Sequence, residues 1–259
     1  LESYEISYAS SASLAVQGRA KNKERVCSLA GVALRDKAIP QAETEVRSAA
    51  RHFEQSQLYL DEQAGLAGLW EAAQAGDVLH IATHGYFLED VPKAPSTSEP
   101  RILDFQDTGN LPPPRVENPL LRSWLFFAGA NRGGDAENDG IMTALEAAQL
   151  DLWGTKLVVL SACETGVGEA KNGDGIYGLR RALVLAGSES QVMSLWNVSD
   201  RATRELMVEY YTRLKNGEGR SEALRKVQLK MLKDPQRQHP YYWAAFIQSG
   251  EWATLDGKK

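Results

Sequence analysis

The stretch VVLSACETGVGEAKNGDGIYGLRRAL, residues 158–183, decides how the chain is read. It opens as an apolar, β-branched run ending at Ala162, of the kind that fills a strand buried on both faces. At Cys163 it breaks. It turns polar and glycine-rich through Gly166, Gly168, Gly173 and Gly175, then resumes after Asp174 as an amphipathic helix that runs to about Ala186 and stops at Gly187. Strand, loop and helix in that order make one unit of an α/β protein. A single thiol stands at the seam. Free cysteine is among the most buried residue types, so Cys163 is either core filler or the reason for the break.

The bulk properties narrow the classes. The chain has 259 residues, 43% hydrophobic and 24% charged, which suits one large or two small globular domains with a sizeable core. Its net charge of −5 gives no basic footprint for nucleic acid or for an anionic membrane. There is no apolar run of about 18 residues and no signal-peptide pattern. Two cysteines, Cys27 and Cys163, make neither a disulfide framework nor a zinc site, so a reducing cytoplasm is the expected compartment. The first residue is Leu, which suits a piece of a longer chain.

Working outward from the central unit, strands and helices alternate. Strands are expected within 1–15 and at 56–60, 77–83, 119–129, 156–162, 190–198 and 241–250. Helices are expected after Pro40, over 66–76, from a Thr143/Glu146 capping box, after Asp174, after Ser199 or Asp200, and from Ser221 to about Lys233. This order implies a mostly parallel sheet with helices on both faces, and reactive groups at the carboxyl ends of its strands. Residues 88–118, rich in proline and short polar residues, read as a long loop insertion of the lid or binding-loop kind.

Two strand ends carry chemistry. One reads Thr83-His84-Gly85 and the other Ser161-Ala162-Cys163. If those strands are parallel neighbours, an imidazole and a thiol meet at one edge of the sheet. A free thiol has a pKa of about 8.5 and needs a base to become a nucleophile near neutral pH; an imidazole can be that base and then the acid. Gly85, lacking a Cβ, lets its N–H approach a substrate, and with the Cys163 N–H it can form an oxyanion hole. The plainer alternative is that His84 bonds backbone and Cys163 is packed. His80 lies four residues before His84, roughly 13 Å along the same strand face, so both cannot serve one thiol. His80, inside the apolar run, is expected to be a hydrogen-bonded core histidine, and His52 and His239 to be surface groups. The GDG at 173–175 before a helix is a poor phosphate site, because Asp174 repels an anion and no Walker lysine follows. No third residue to orient His84 is evident. No metal or cofactor is expected, since no cluster has ligand spacing.

The blocks DVLHIATHGYF, LVVLSACETGVGEAKNGDGIYGLRRALVLAG, VMSLWNVSD and HPYYWAAFIQSG, in order from about residue 40 to 250, closely resemble the CHAT family of caspase-like (clan CD) cysteine peptidases. The resemblance implies a single caspase-like domain over 1–259, an α/β/α sandwich with a mostly parallel central sheet. It carries the base onto His84, the nucleophile onto Cys163 and the oxyanion hole onto Gly85 and the Cys163 amide. It places the substrate cleft along Met193–Asp200, including Trp196. It also implies a place at the C-terminus of a longer chain behind helical repeats or a regulatory partner, a protein substrate, and a bacterial signalling or defence role. The caspase pattern around the cysteine is absent, and His84 precedes Cys163 by 79 residues instead of about 50, so the chain is not a caspase proper.

The leading expectation is therefore a cysteine endopeptidase acting through a Cys163–His84 dyad. The alternatives are a non-catalytic caspase-like scaffold and an acyltransferase using the same thioester. Glu164, Asp174 and Asp200 can line a pocket that favours Arg or Lys. Equally, Glu164 and Asp174 can brace the glycine-rich loop, and Trp196 can favour an apolar residue.

Overall fold

The computed structural model describes residues 27–87, 118–130, 139–164, 174–196 and 198–257. The expected strand within 1–15 and nearly all of the 88–118 insertion lie outside these residues. The strands are β1 (Ser28–Ala33), β2 (Gln55–Leu60), β3 (Val78–Phe87), β4 (Ser123–Phe126), β5 (Ile141–Thr143), β6 (Leu157–Glu164), β7 (Ser190–Ser194) and β8 (Phe246–Gly250). They form one sheet in the order β2-β1-β3-β6-β7-β8, with β4 beside β3 and β5 beside β4. The five strands from β2 to β7 along that path run parallel, while β8 is antiparallel to β7. The mostly parallel α/β sheet expected from the sequence is the sheet observed.

The helices are α1 (Ala42–Ala50), α2 (Leu66–Ala75), α3 (Ala144–Ala147), α4 (Asp174–Leu185), α5 (Asp200–Lys215) and α6 (Arg220–Lys233). Side chains of β3 alternate between two cores. Val78 packs with residues of α5 and α6, while Leu79 and Ile81 pack with residues of α2, α3 and α4. A fully buried Leu or Ile is worth roughly 1.5–3 kcal/mol, so these two layers hold the central strands in register. The sandwich has helices on both faces. The Thr143 capping box is present: the Thr143 hydroxyl accepts the Glu146 N–H at 3.1 Å, and the Glu146 carboxylate accepts the Thr143 N–H at 2.7 Å.

Several boundaries differ from expectation, each for a local reason. β3 continues past Thr83 to Phe87, because β4 takes over from β1 as its neighbour beyond Ala82. The Thr83 hydroxyl donates to the Phe126 carbonyl and ties that junction. The strand expected over 119–129 is only β4, preceded by a 3-10 turn whose Leu120 N–H bonds the Asn118 side chain at 3.0 Å. β7 ends at Ser194, short of 198. β8 begins at Phe246 because Pro240 opens a 3-10 turn whose carbonyl accepts the N–H groups of Trp243 and Ala244. α6 starts after Gly219, and Ser221 lies within its first turn.

That start is anchored by Arg220, only 2% exposed. Its guanidinium donates to the Lys156 carbonyl at 2.9 Å and the Ser190 hydroxyl at 3.1 Å, and reaches Glu189 and the Thr254 carbonyl at 3.4 Å. Burial pushes the Glu189 carboxyl up, and the Arg220 charge opposes this. The N–H groups of Arg220 and Ser221 bond the carbonyls of Ala253 and Trp252.

Candidate active site

β3 and β6 are the parallel neighbours that the sequence argument needed, and their ladder pairs His84 with Cys163 and Gly85 with Glu164. Adjacent strands lie about 4.8 Å apart, so the two backbones carrying the imidazole and the thiol are in direct contact. The end of β6 is held from its other side. Ser194 donates its hydroxyl to the Ala162 carbonyl at 2.8 Å, one residue before Cys163. Gly85 is buried within the ladder, opposite Leu125 as well as Glu164.

The His84 side chain is 12% exposed, and its Nε2 lies 3.3 Å from Oδ1 of Asp36 in the loop after β1. Asp36 is itself fixed, because the same oxygen accepts the Ala38 N–H at 2.7 Å. That backbone bond, with a further contribution from His84, holds the Asp36 carboxyl below its ordinary range against the opposing cost of partial burial. A carboxylate on Nε2 favours the proton there and leaves Nδ1 bare. Nδ1 is buried and has no hydrogen-bond partner among the described residues. The sequence showed no third residue beside His84; the structure places the Asp36 carboxylate there.

His80 is the other kind of histidine. It is 0% exposed, with Nε2 2.9 Å from the buried Glu45 carboxylate and Nδ1 2.9 Å from the Tyr211 hydroxyl, and its ring stacks on Tyr211. Both ring nitrogens are used in the core, as expected. Cys27, just before β1, has its thiol pushed up to about 11 by burial, with Asp77 adding to the shift. Such a thiol is almost wholly protonated near neutral pH and is no nucleophile. His239 is exposed and caps the 3-10 turn at Pro240, accepting the Tyr241 N–H at 3.2 Å.

Of the expected substrate residues, Asp200 and Trp196 have described side chains. Glu164 closes β6 and Asp174 opens α4; their side chains lie outside what is described. Asp200 accepts the Gln41 N–H at 2.7 Å, joining the starts of α5 and α1, and burial raises its carboxyl. Trp196 packs against the α5/α6 core and donates to the Tyr241 carbonyl at 3.4 Å. Neither lines the cavity of about 620 Å³ beside His84, whose walls come from the loops after β1, β2 and β4. No cluster of three or more His, Cys, Asp or Glu suited to a metal occurs among the described residues. No helix among them is long and apolar enough to cross a membrane.

A family model described as the CHAT domain matches residues 1–251. The chain belongs to the CHAT family. The family is caspase-like, in keeping with the sandwich and its mostly parallel sheet. This CHAT domain is also similar to tetratricopeptide repeat protein 28 of Homo sapiens and of Mus musculus, at 31% identity over 116 residues in each case. The match covers 45% of this chain and 5% of each relative, so the CHAT domain aligns with about a twentieth of those proteins.

Proposed function

We propose that this CHAT domain is a cysteine endopeptidase with Cys163 as nucleophile, His84 as general base and acid, and Asp36 as the positioning residue. The observation that carries the reading is the direct pairing of His84 with Cys163 in the β3–β6 ladder. With its proton on Nε2 toward Asp36, His84 offers Nδ1 to take the thiol proton. The thiolate adds to the scissile carbonyl, forming the C–S bond. The N–H groups of Gly85 and Cys163 are assigned to the oxyanion. Collapse breaks the C–N bond, and the Nδ1 proton goes to the leaving amine. Water then adds to the thioester, giving a proton to Nδ1, and the returning thiolate recovers it as the acid product departs. Both partners of the mechanism come from the chain, with no cofactor assigned. The matched relatives carry repeats by name, which supports a helical-repeat neighbour or a regulatory partner as the control element.

A peptide acyloxymethyl ketone followed by mass spectrometry tests the reading. Adduct on Cys163, none on Cys27, and loss of labelling in His84→Ala are expected. Proteome-wide cleavage profiling with wild type and Cys163→Ala then reports the substrate. No difference between the two profiles, with Cys163 unlabelled, turns the domain into a non-catalytic scaffold. Transfer of the acyl group to an added amine in preference to water makes it an acyltransferase.

A further inference from the structure

One side of β3 carries His80, Ala82, His84 and Tyr86 in succession, because the side chains of a strand alternate between its faces. Helices cover the first two. His80 bonds Glu45 of α1 and Tyr211 of α5, and Ala82 packs with Ala42 and Val46 of α1. From His84 onward β4 replaces β1 as the neighbour, pairing Phe126 with His84 and Trp124 with Tyr86. The burial of β4 alternates: Ser123 and Leu125 are buried, whereas Trp124 and Phe126 stay partly exposed, as Tyr86 does. The Tyr86 and Trp124 rings stack, with centroids 5.4 Å apart and planes 29° from parallel. Phe126 also walls the cavity beside His84.

Three aromatic rings thus share the partly exposed face that carries His84. Tyr86 is two residues past His84, roughly 7 Å along the strand. β4 lies on the far side of β3 from β6, so His84 stands between Cys163 and the aromatic pair. In an acyl transfer the acyl half stays on the sulfur, while the amine half departs past the imidazole that protonates it. The residues that follow the scissile bond therefore leave over Phe126, Tyr86 and Trp124. Aromatic rings hold apolar and aromatic side chains by burying a large area and by offset stacking, and a serine side chain gains neither. We propose that Tyr86 and Trp124 form a specificity subsite for an apolar or aromatic residue on the leaving side of a peptide substrate. The direction rests on the peptidase reading. The preference for an apolar partner rests on the two rings alone.

The test separates the two. Peptide amides with a free amino terminus, Phe-Ala-Ala, Ser-Ala-Ala and Lys-Ala-Ala, stand in for the leaving half. They are titrated into the Cys163→Ala chain and followed by the nuclear magnetic resonance signal of the Trp124 indole. The Phe peptide should bind at least about tenfold more tightly than the Ser peptide. Tyr86→Thr, whose β-branched side chain suits a strand, should remove most of that preference, and Tyr86→Phe should keep it. Equal binding of the Phe and Ser peptides, tightest binding of the Lys peptide, or a preference unchanged in Tyr86→Thr overturns the inference even if generic peptides are cleaved. A preference that emerges only after residues 88–117 are replaced by a short Gly-Ser link makes that insertion the occupant, and dimerisation lost in Tyr86→Thr makes the occupant a second copy; either result overturns it. In parallel, wild type is given quenched-fluorescence peptides sharing one acyl half, with Phe or Ser following the bond. A higher kcat/KM for Phe in wild type and Tyr86→Phe, but not in Tyr86→Thr, supports both readings. Cleavage indifferent to that residue overturns the leaving-side assignment. Phe-selective binding without cleavage of any peptide overturns the peptidase reading and leaves the ring pair an apolar-peptide site.

Discussion

Asp36 and His84 are 48 positions apart, and the Asp36 carboxylate sits 3.3 Å from the His84 Nε2 while its charge is preserved by the Ala38 N–H. Asp36→Asn keeps the shape and removes the charge. We expect kcat to fall about 10- to 100-fold, part of the 10²–10⁴ that a positioned acid–base group supplies. The Asp36 carboxyl lies below its ordinary value, so the ion stays formed as pH falls toward that value and is lost only beneath it. The rate difference between wild type and Asp36→Asn should therefore persist as pH falls and close only below about pH 3.9. A difference that vanishes already above about pH 5 would assign the effect elsewhere.

His84→Ala and Cys163→Ala should each abolish cleavage, and His84→Ala should lower the urea midpoint less than His80→Ala, since the partner of its ring among the described residues is the part-exposed Asp36. His80→Ala should do the reverse. It strands the Glu45 carboxylate and the Tyr211 hydroxyl in the core, at a cost of about 1–3 kcal/mol. Activity per folded molecule should survive. Loss of activity at full stability would mean that the wrong histidine carries the chemistry.

The Ser194 hydroxyl bridges β7 to the last carbonyl before Cys163. Ser194→Ala should lower stability by about 1 kcal/mol and reduce kcat more than it changes KM. Ser194→Thr, which restores a hydroxyl, should recover part of the rate. A change confined to KM would place Ser194 in substrate binding.

Thiol modification gives an independent readout. Burial raises the Cys27 pKa to about 11, so its thiolate fraction at pH 7.5 is well under 1% and its alkylation should accelerate only as pH climbs toward 11. Time-resolved iodoacetamide labelling at pH 7.5 should modify Cys163 first. Comparable rates at the two sites contradict the role given to Cys163.

What the sequence made legible follows from how local each signal was. β3 and β6 announce themselves by apolar runs, the α3 cap by Thr143 and Glu146 three residues apart, and the two histidines by a strand's period of two. The His84–Cys163 meeting required only that two strands be parallel neighbours. Asp36 was hidden because its signal is that of a turn former, an Asp two residues before the N–H it accepts. Nothing in RDKAIP tells which distant side chain will face it. β4 was expected within 119–129, but its place beside β3 where β1 leaves off was not, nor was the three-residue β5 that pairs with it; both are decided by three-dimensional neighbours. Ser194, inside an apolar run, looked like strand and turned out to be the pin at its end.

Arg220 carries a practical corollary. The family match ends at residue 251, but the guanidinium and the first turn of α6 rest on carbonyls from Trp252, Ala253 and Thr254. Trimming the polypeptide to the matched residues would take the Thr254 carbonyl from the buried guanidinium and the Ala253 and Trp252 carbonyls from the N–H groups of Arg220 and Ser221, each lost bond costing about 1 kcal/mol. The cooperative folding unit thus runs further than its recognisable signature, and a shortened recombinant version ending at Glu251 should melt well below one ending at Gly257.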